Sequence, residues 1–515
     1  MSAPGFILAA PASGSGKTLA TLGILRAFAR RRVRVASAKV GPDYIDPCFH
    51  AAATQRPCLN LDTWAMRDQT LAGLAAELAK DSDLIVAEGV MGLFDGAMVP
   101  VGTERDGSTA ALARLSGWPV VLVVNVKGQA ASAAAVVRGF AGHDPRVRLA
   151  GVIFNNVGMG RHLDILKEAT AAAVPGLQVL GGIPRTPDLS VPERHLGLVQ
   201  AHEHPDLPGF LDAAADLMET ALDLDALLAL ARPSALPPAP TPKPVPVLGQ
   251  HIAVAKDVAF AFSYPALLAG WRAQGAEISV FSPLADEAPH PAADAIYLPG
   301  GYPELHAGKI SGNATFLNGV RAAAQGGKAV FGECGGYMVL GDSIADASGV
   351  AHPMLGLLPV ATSFAKRRLH MGYRVATLAA PSALGPRGIR FRAHEFHYAS
   401  IVSESEADPL FTVVDASGEP RGAVGLARGR VAGMFSSAFL VGSVAGPVVG
   451  SMTAGLGLSA PFVIYGAALL VAAAVVFVSL RHSELAAPAP VDELTVTVGV
   501  ALRHRAYRAA LLSNF

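Results

Sequence analysis

The stretch ILAAPASGSGKT at positions 7–18 constrains this chain more than any other. An apolar run, a glycine-rich break and Lys-Thr, continued by the Ala/Leu-rich segment TLATLGILRAFARR, reads as strand, loop and helix start. Such a loop turns backbone N–H groups toward phosphate oxygens at a helix N-terminus. Ser13, Gly14, Ser15 and Gly16 would form the cradle, Lys17 would reach the β/γ-phosphates, and the Thr18 hydroxyl would ligate Mg²⁺. Pro11 stands where the usual G-x-x-x-x-G-K-[ST] pattern begins with glycine, so the match is to its second half, against an ordinary tight turn as the competing reading. The opening MSAPGFILAAPA has no basic region and runs straight into this loop, so it reads as a buried first strand and not as a signal peptide.

Further apolar runs lie at 33–40, 83–89, 120–126 and 150–156, separated by segments of helical period. Continuous apolar strands alternating with helices predict an α/β fold whose parallel sheet is covered on both faces. At 515 residues the chain is too long for one core. The proline-dense segment 232–250 reads as a stiff linker between a first domain, 1–231, and a second α/β domain, 251–435. No internal repeat of 20–50 residues is visible. Lys+Arg and Asp+Glu are 41 each, which gives no bulk charge to attract nucleic acid. Three cysteines, without metal-ligand spacing, point to a reducing compartment.

Two groups of residues carry chemistry. Glu88 ends an apolar run at a strand's carboxyl end, where open α/β sheets place ligands, and a carboxylate there can hold Mg²⁺. Asp43 and Asp46, three residues apart in KVGPDYIDP, form either a substrate or metal loop or a turn stabilised by side-chain hydrogen bonds. In KAVFGECGGYMVLG, 328–341, a strand runs into Glu-Cys-Gly-Gly and then a helix. That turn lifts the sulfur of Cys334 out of the sheet beside a helix N-terminus, a nucleophile's setting. Gly335 and, from the strand end AIYLPGGYPE, Gly301 are candidate oxyanion donors. A thiolate needs a base, for which HEFHY offers His394 and His397, each equally readable as structural or substrate-facing. Cys48 and Cys58 lack the turn and read as ordinary cysteines.

The segments APASGSGKT, KVGPDYIDPCFH, RPCLNLDTW, AEGVMGLFDG, LPGGYPE, ECGGYM and RAHEFHYA, in this order across residues 1 to about 430, resemble the cobyrinate or hydrogenobyrinate a,c-diamide synthases. The resemblance implies a dethiobiotin-synthetase-like ATP domain with a P-loop, joined to a class I glutamine amidotransferase domain lacking the usual triad acid. It implies a corrin tetracarboxylate, glutamine and ATP as reactants, with Mg²⁺, and a cytoplasmic location; a homodimer stays open. Thr18, Asp43 and Glu88 map onto the metal loops, Asp46 and Asp95 onto the substrate loops, and Asn155 onto nucleotide recognition. Two other classes compete: a ParA/MinD-like ATPase, which shares only the phosphate loop, and a membrane scaffold or transporter fragment, for which the end of the chain argues.

From Val431 to Leu480 there is no Asp, Glu, Lys or Arg. Where the family closes its second domain with a catalytic His, GRVAGMFSS puts Ser436 and Ser437, so glutamine use is expected to be impaired. The tail 436–515 reads as two transmembrane helices, about 436–456 and 459–480, each long enough for a bilayer core. Gly446, Pro447 and Gly450 resemble the G-P-x-x-G of major facilitator transporters, and ALRHRAYRAALLSNF resembles the segment after the sixth helix of that family. Arginines flank the pair, Arg428 and Arg430 before it and Arg481, Arg503, Arg505 and Arg508 after it, so both ends would lie on the cytoplasmic side. The expectation is a nearly complete synthase joined to a transporter fragment and possessing a membrane contact through it.

Overall fold

Adjacent residues of the first strand enter different cores. Phe6 and Leu8 pack into one apolar cluster, Ile7 and Ala9 into another on the opposite face, and all are 0–1% exposed. This two-sided burial explains why the strands are continuously apolar and not alternating. The computed structural model describes residues 3–100, 103–187, 189, 193–194, 197–237, 245–405 and 408–437. The chain divides into two units, Met1–Val444 and Ala445–Phe515, and every described residue lies in the first.

Strands β1 (Gly5–Ala9), β2 (Val35–Val40), β3 (Leu59–Leu61), β4 (Leu84–Glu88), β5 (Val120–Asn125), β6 (Leu149–Val157) and β7 (Gln178–Pro184) are all parallel. Their order is β3-β2-β4-β1-β5-β6-β7, so the chain leaves β1 in one direction and resumes at β5 in the other. Helix α1 (Lys17–Arg30) follows β1, and α2 (Asp46–Thr54), with Pro47 in its first turn, follows β2. The loops after β1, β2 and β4 thereby meet at the carboxyl edge, where such sheets bind ligands. Beyond the sheet lies a small hairpin, β8 (Glu193–Arg194) with β9 (Gly197–Leu198). Residue Arg232, at the start of the proline-rich segment, pairs back onto Gly5.

The second domain begins with four parallel strands: β10 (His251–Ala255), β11 (Glu277–Phe281), β12 (Ala295–Leu298) and β13 (Ala329–Glu333). A four-stranded side sheet contains β14 (Ser343–Ala345), β15 (Ala351–Pro353), β16 (Val360–Ser363) and, after β17 (His370–Leu378) and β18 (Arg390–His397), β19 (Ser400–Glu404). The main sheet is completed by β20 (Pro409–Asp415), β21 (Pro420–Arg428), β22 (Val431–Met434) and β23 (Ser436–Ser437), in the order β11-β10-β12-β13-β22-β21-β20-β17-β18-β23. Only Phe435 separates β22 from β23, and β23 pairs with β18, so strands β22, β21, β20, β17, β18 and β23 return on themselves in a ring.

This antiparallel half goes beyond the α/β alternation expected from the sequence, and it corrects one boundary. Ser436 and Ser437 pair with Glu395 and His394 as a strand, so the first apolar span does not begin at 436. Backbone groups spent on a ladder are not available to a helix. The remainder of both expected spans and the transporter-like motifs lie outside the described residues. Among the described residues, no helix is long and apolar enough to cross a membrane.

The two domains pack through the loops of the first sheet. Asp62, after β3, accepts from His394 Nε2 at 2.6 Å, and both side chains are nearly inaccessible. Trp64 Nε1 donates to the Ala393 carbonyl at 3.2 Å, and the Arg392 guanidinium lies over the Trp64 ring at 4.4 Å while donating to the Trp64 carbonyl. Tyr44 stacks on Phe262 and Tyr264, whose hydroxyl donates to the Pro42 carbonyl at 2.8 Å. Burial works against the Asp62 carboxylate, but His394 and the amides of Ala65 and Trp64 hold its pKa below the usual range. Because that pKa is lowered on folding, the contribution is present above the ordinary carboxylate range and is lost as pH falls below it. Asp62→Ala removes a buried carboxylate that faces the buried His394 imidazole and is expected to lower unfolding stability by about 3–5 kcal/mol at pH 7. Urea unfolding of the two proteins at pH 7 and at a pH about one unit below the ordinary carboxylate value checks both the size and the narrowing of the gap.

Candidate active site

The first site is organised around Glu88, which is 0% exposed at the end of β4. Its Oε1 accepts from Thr18 Oγ1 at 2.8 Å and from Lys39 Nζ at 3.0 Å, with Lys17 Nζ at 3.4 Å; its Oε2 lies 2.6 Å from His50 Nε2. Burial opposes the charge, yet Lys39, Lys17 and His50 outweigh it and hold Glu88 well below the ordinary range. Lys39 is also buried, and the carboxylates of Asp46 and Glu88 hold it above its usual value against that burial. It is ion-paired with Asp46, and 3.9 Å separates it from Asp43 Oδ2. Burial and the neighbouring Asp43 push Asp46 up to about 6. Lys17 is lowered, first by burial and then by Lys39.

The phosphate loop is tied to this network from behind. Gly16 has φ 88°, the left-handed region in which a side chain is strained, and a Cβ there would run into the Asn155 amide. Asn155 Nδ2 donates to the Ser15 carbonyl at 2.9 Å, and Ser15 Oγ donates to the Ala12 carbonyl at 2.8 Å. Asn155 thus braces the cradle from the end of β6. Asp43 Oδ1 accepts from the amides of Ile45 and Asp46 at 2.7 and 3.2 Å, a cap on the entry to α2. Asp95 Oδ2 accepts from the Gly92 amide at 2.8 Å. It sits near Tyr373 of the second domain, whose hydroxyl burial raises, helped by Asp62, Asp106 and Asp95. Lys39 and His50 are not singled out by the sequence, although both lie in KVGPDYIDPCFH: a Lys ending an apolar strand one position before a Val-Gly-Pro turn was the available signal. Cys58 Sγ, 3.5 Å from His50 Nδ1, belongs to the same network, while Cys48 is exposed.

The donor set suits a hard cation. Thr18 Oγ1 and Glu88 Oε1 are oxygens of the kind Mg²⁺ takes, and an ion held by both would replace the 2.8 Å hydrogen bond between them.

The second site is the turn between β13 and the helix Gly335–Leu340. Cys334 takes φ 49° and ψ −110°, a strained backbone state for a residue with a side chain. Its amide donates to the Met434 carbonyl at 2.8 Å, which fastens the turn to β22. The amides of Gly335 and Gly301 both donate toward the sulfur. The turn is tight because Gly336 presses against the Leu298 carbonyl, where a Cβ would collide. Burial, then Glu304, pushes the thiol up to about 12, more than the two amides recover. Burial also pushes Glu333 up to about 8, so that it is mostly protonated at pH 7. Of the two histidines, His394 is engaged with Asp62; His397 has Nδ1 3.0 Å from the Ala399 carbonyl and Nε2 3.2 Å from Glu395 Oε1. Ser437 sits opposite His394 in the register of β18 and β23.

Residues 6–199 match the CobQ/CobB/MinD/ParA nucleotide binding domain, and residues 251–436 match the CobB/CobQ-like glutamine amidotransferase domain. The chain is 55% identical, over 84% of its length and 97% of that protein, to the hydrogenobyrinate a,c-diamide synthase of Brucella anthropi. This chain belongs to the hydrogenobyrinate a,c-diamide synthase family. Relatives of the same description from Mesorhizobium japonicum, 52% identical over 84% of this chain and 98% of that one, and from Agrobacterium fabrum, 50% over 86% and 100%, agree. The family match spans both sites and leaves the ParA/MinD-like ATPase reading without the second domain explained.

A thiol at about 12 is almost wholly protonated at pH 8. Cys334 is therefore expected to react with iodoacetamide about a thousandfold more slowly than an ordinary thiol, and to gain about tenfold per pH unit between 8 and 10. Mass spectrometry of the Cys334 peptide after timed alkylation reads both numbers, with a free cysteine peptide in the same mixture as the comparison.

Proposed function

We propose that this chain amidates the a and c acetate side chains of hydrogenobyrinate or cobyrinate, using ATP to activate each carboxylate and ammonia to replace the activated oxygen. The observation that carries this reading is the Glu88 network: a buried carboxylate joined to Thr18, Lys17 and Lys39 at the mouth of a phosphate loop. A carboxylate is a poor electrophile, and its conversion to an acyl phosphate needs positive charge where the γ-phosphoryl group is transferred. Lys17 supplies that charge from the loop, and Lys39 supplies it from β2 while keeping Asp46 and Glu88 ordered. Mg²⁺, held through Thr18 and Glu88, would neutralise the phosphates and align them for in-line transfer. In this reading Asp46, at the start of α2, and Asp95 would stand on the side that meets the corrin.

The nitrogen would come from glutamine at Cys334. The sulfur attacks the side-chain amide, the amides of Gly301 and Gly335 donate to the developing oxyanion, and the C–N bond breaks to leave a thioester and ammonia. That attack needs a base to take the thiol proton, and Ser436 and Ser437 occupy the stretch where the family resemblance expects one. We infer that the ligase half is competent and that the glutaminase half is slow.

The test is amidation of hydrogenobyrinate and cobyrinate with Mg²⁺ and ATP, with either ammonium or glutamine as nitrogen source. Ammonium is expected to support turnover, and glutamine to support at least about a hundredfold less, the usual contribution of a positioned base. Ser437→His is expected to recover part of the glutamine rate without changing the ammonium rate. Equal rates with both donors would refute the account of the missing base, and no product with either would refute the ligase reading itself.

A further inference from the structure

The ring of strands that closes the second domain surrounds a cavity of about 500 Å³, and one wall of it carries His370, Glu395 and His397. His370 on β17 stands opposite His397 on β18, and their rings stack at 4.7 Å between centroids and 7° between planes. One ligand atom from each of the three side chains lies within 4.8 Å of the others. We propose that this cluster is a binding site for a divalent transition cation of the zinc class, separate from the magnesium site at the phosphate loop.

The side-chain partners argue for a cation and for its type. His397 Nδ1 lies 3.0 Å from the Ala399 carbonyl, which can only accept, so Nδ1 carries a proton, and Nε2 either donates to Glu395 as an imidazolium or presents a lone pair to a cation. Nε2 faces Glu395 Oε1 at 3.2 Å. Two acceptors at that distance repel unless a proton or a metal ion joins them. The other carboxylate oxygen, Oε2, is fixed by Arg374 through Nε at 2.9 Å and Nη2 at 2.6 Å. Each of these ligands is thus oriented by an outer partner, as in built metal sites, where a carbonyl sets the histidine tautomer and a hydrogen bond aims the carboxylate.

The arginines near the cavity do not forbid a cation. Arg374 is spent on Glu395, Arg421 is paired with Asp415 at 2.6 Å, and Arg368, which also lines the wall, is exposed, so that solvent screens its charge. Two imidazoles and one carboxylate match the ligand class of zinc, cobalt and nickel, whereas magnesium takes oxygen. Three protein ligands beside a cavity leave a fourth position for water or a ligand atom. Tetrahedral coordination wants ligand atoms about 3.3 Å apart, so the side chains must close in from their present spread. His370 is partly buried and stacks on His397, so it must turn out of that stack for a nitrogen of each ring to face one ion.

The experiment uses the full chain, stripped with a chelator and titrated with Co²⁺ in excess Mg²⁺, which occupies the oxygen site. Visible absorption of Co²⁺ bound to histidine reports binding, and competition by Zn²⁺ reports its affinity. One equivalent is expected to bind, with affinity reduced at least tenfold in both His370→Gln and Glu395→Gln. Neither variant removes a fully buried side chain, and unchanged thermal unfolding of the stripped proteins confirms that they fold. Absence of the Co²⁺ band in the unmodified chain, or equal affinity in the variants, would overturn the proposal.

Discussion

A carboxylate with no solvent access is the constraint on which the first domain depends. Glu88 is 0% exposed, and burying an ion without partners costs several kcal/mol. The chain meets that cost by bringing four groups to it: Thr18 and Lys17 from α1, Lys39 from β2 and His50 from α2. They come from neighbouring turns of the same sheet edge, so satisfying Glu88 requires the loops after β1, β2 and β4 to adopt their active arrangement. A nucleotide site built this way is ordered before the nucleotide arrives. Its binding energy then goes to the reacting groups and not to arranging the protein.

The same loops hold the second domain. Tyr44 lies between Asp43 and Asp46 in sequence, and its ring stacks 5.2 Å from Phe262, which packs edge-on against Tyr302 at 5.2 Å. Tyr302 follows Gly301, whose neighbour Gly300 accepts from the Phe262 amide at 2.9 Å. Packed rings and one backbone bond therefore connect the loop that carries Asp46 with the loop that faces the sulfur of Cys334. On the other side, Asp62 and Trp64 clamp β18 at Ala393 and His394. An enzyme that must spend ammonia only when a carboxylate is activated needs its two halves in fixed register, and these contacts supply it.

Much of this was legible because local chemistry dictated it. Phe6 and Ile7 had to be apolar to enter opposite cores, and Gly336, two positions after Cys334, had to be glycine because Leu298 leaves no room for a Cβ. The ring of antiparallel strands was not legible. Strands β17, β20 and β21 mix exposed and buried positions irregularly, since one side lines the cavity with polar and apolar residues alike, and their period-2 signal is weak. His394 was a candidate base by residue type, but its role is set by Asp62, 332 positions away. Long-range partners of that kind leave no mark in the local pattern. Lys39 is a comparable case, because a lone lysine at a strand end announces a solvated face until the carboxylates around it are known.

Cys334 shows why geometry alone does not make a nucleophile. Its backbone strain, its two amides and its place at a strand-to-helix turn are all in order. Its charge state is not, because burial and Glu304 favour the neutral thiol and the helix behind it is only six residues long. Helix dipole effects are modest and fall off within a turn, so a short helix does not offset a shift of that size. What remains is a partner that becomes positive when the sulfur becomes negative. The chain passes from β22, whose Met434 carbonyl holds the Cys334 amide, through Phe435 to β23, and the two residues of β23 are serines. Serine is neither basic at neutral pH nor able to stabilise a thiolate as an imidazolium does. On the proposed reading, the oxyanion donors would remain in place while the proton-transfer partner is missing, because the sequence carries serines where the family resemblance expects a His.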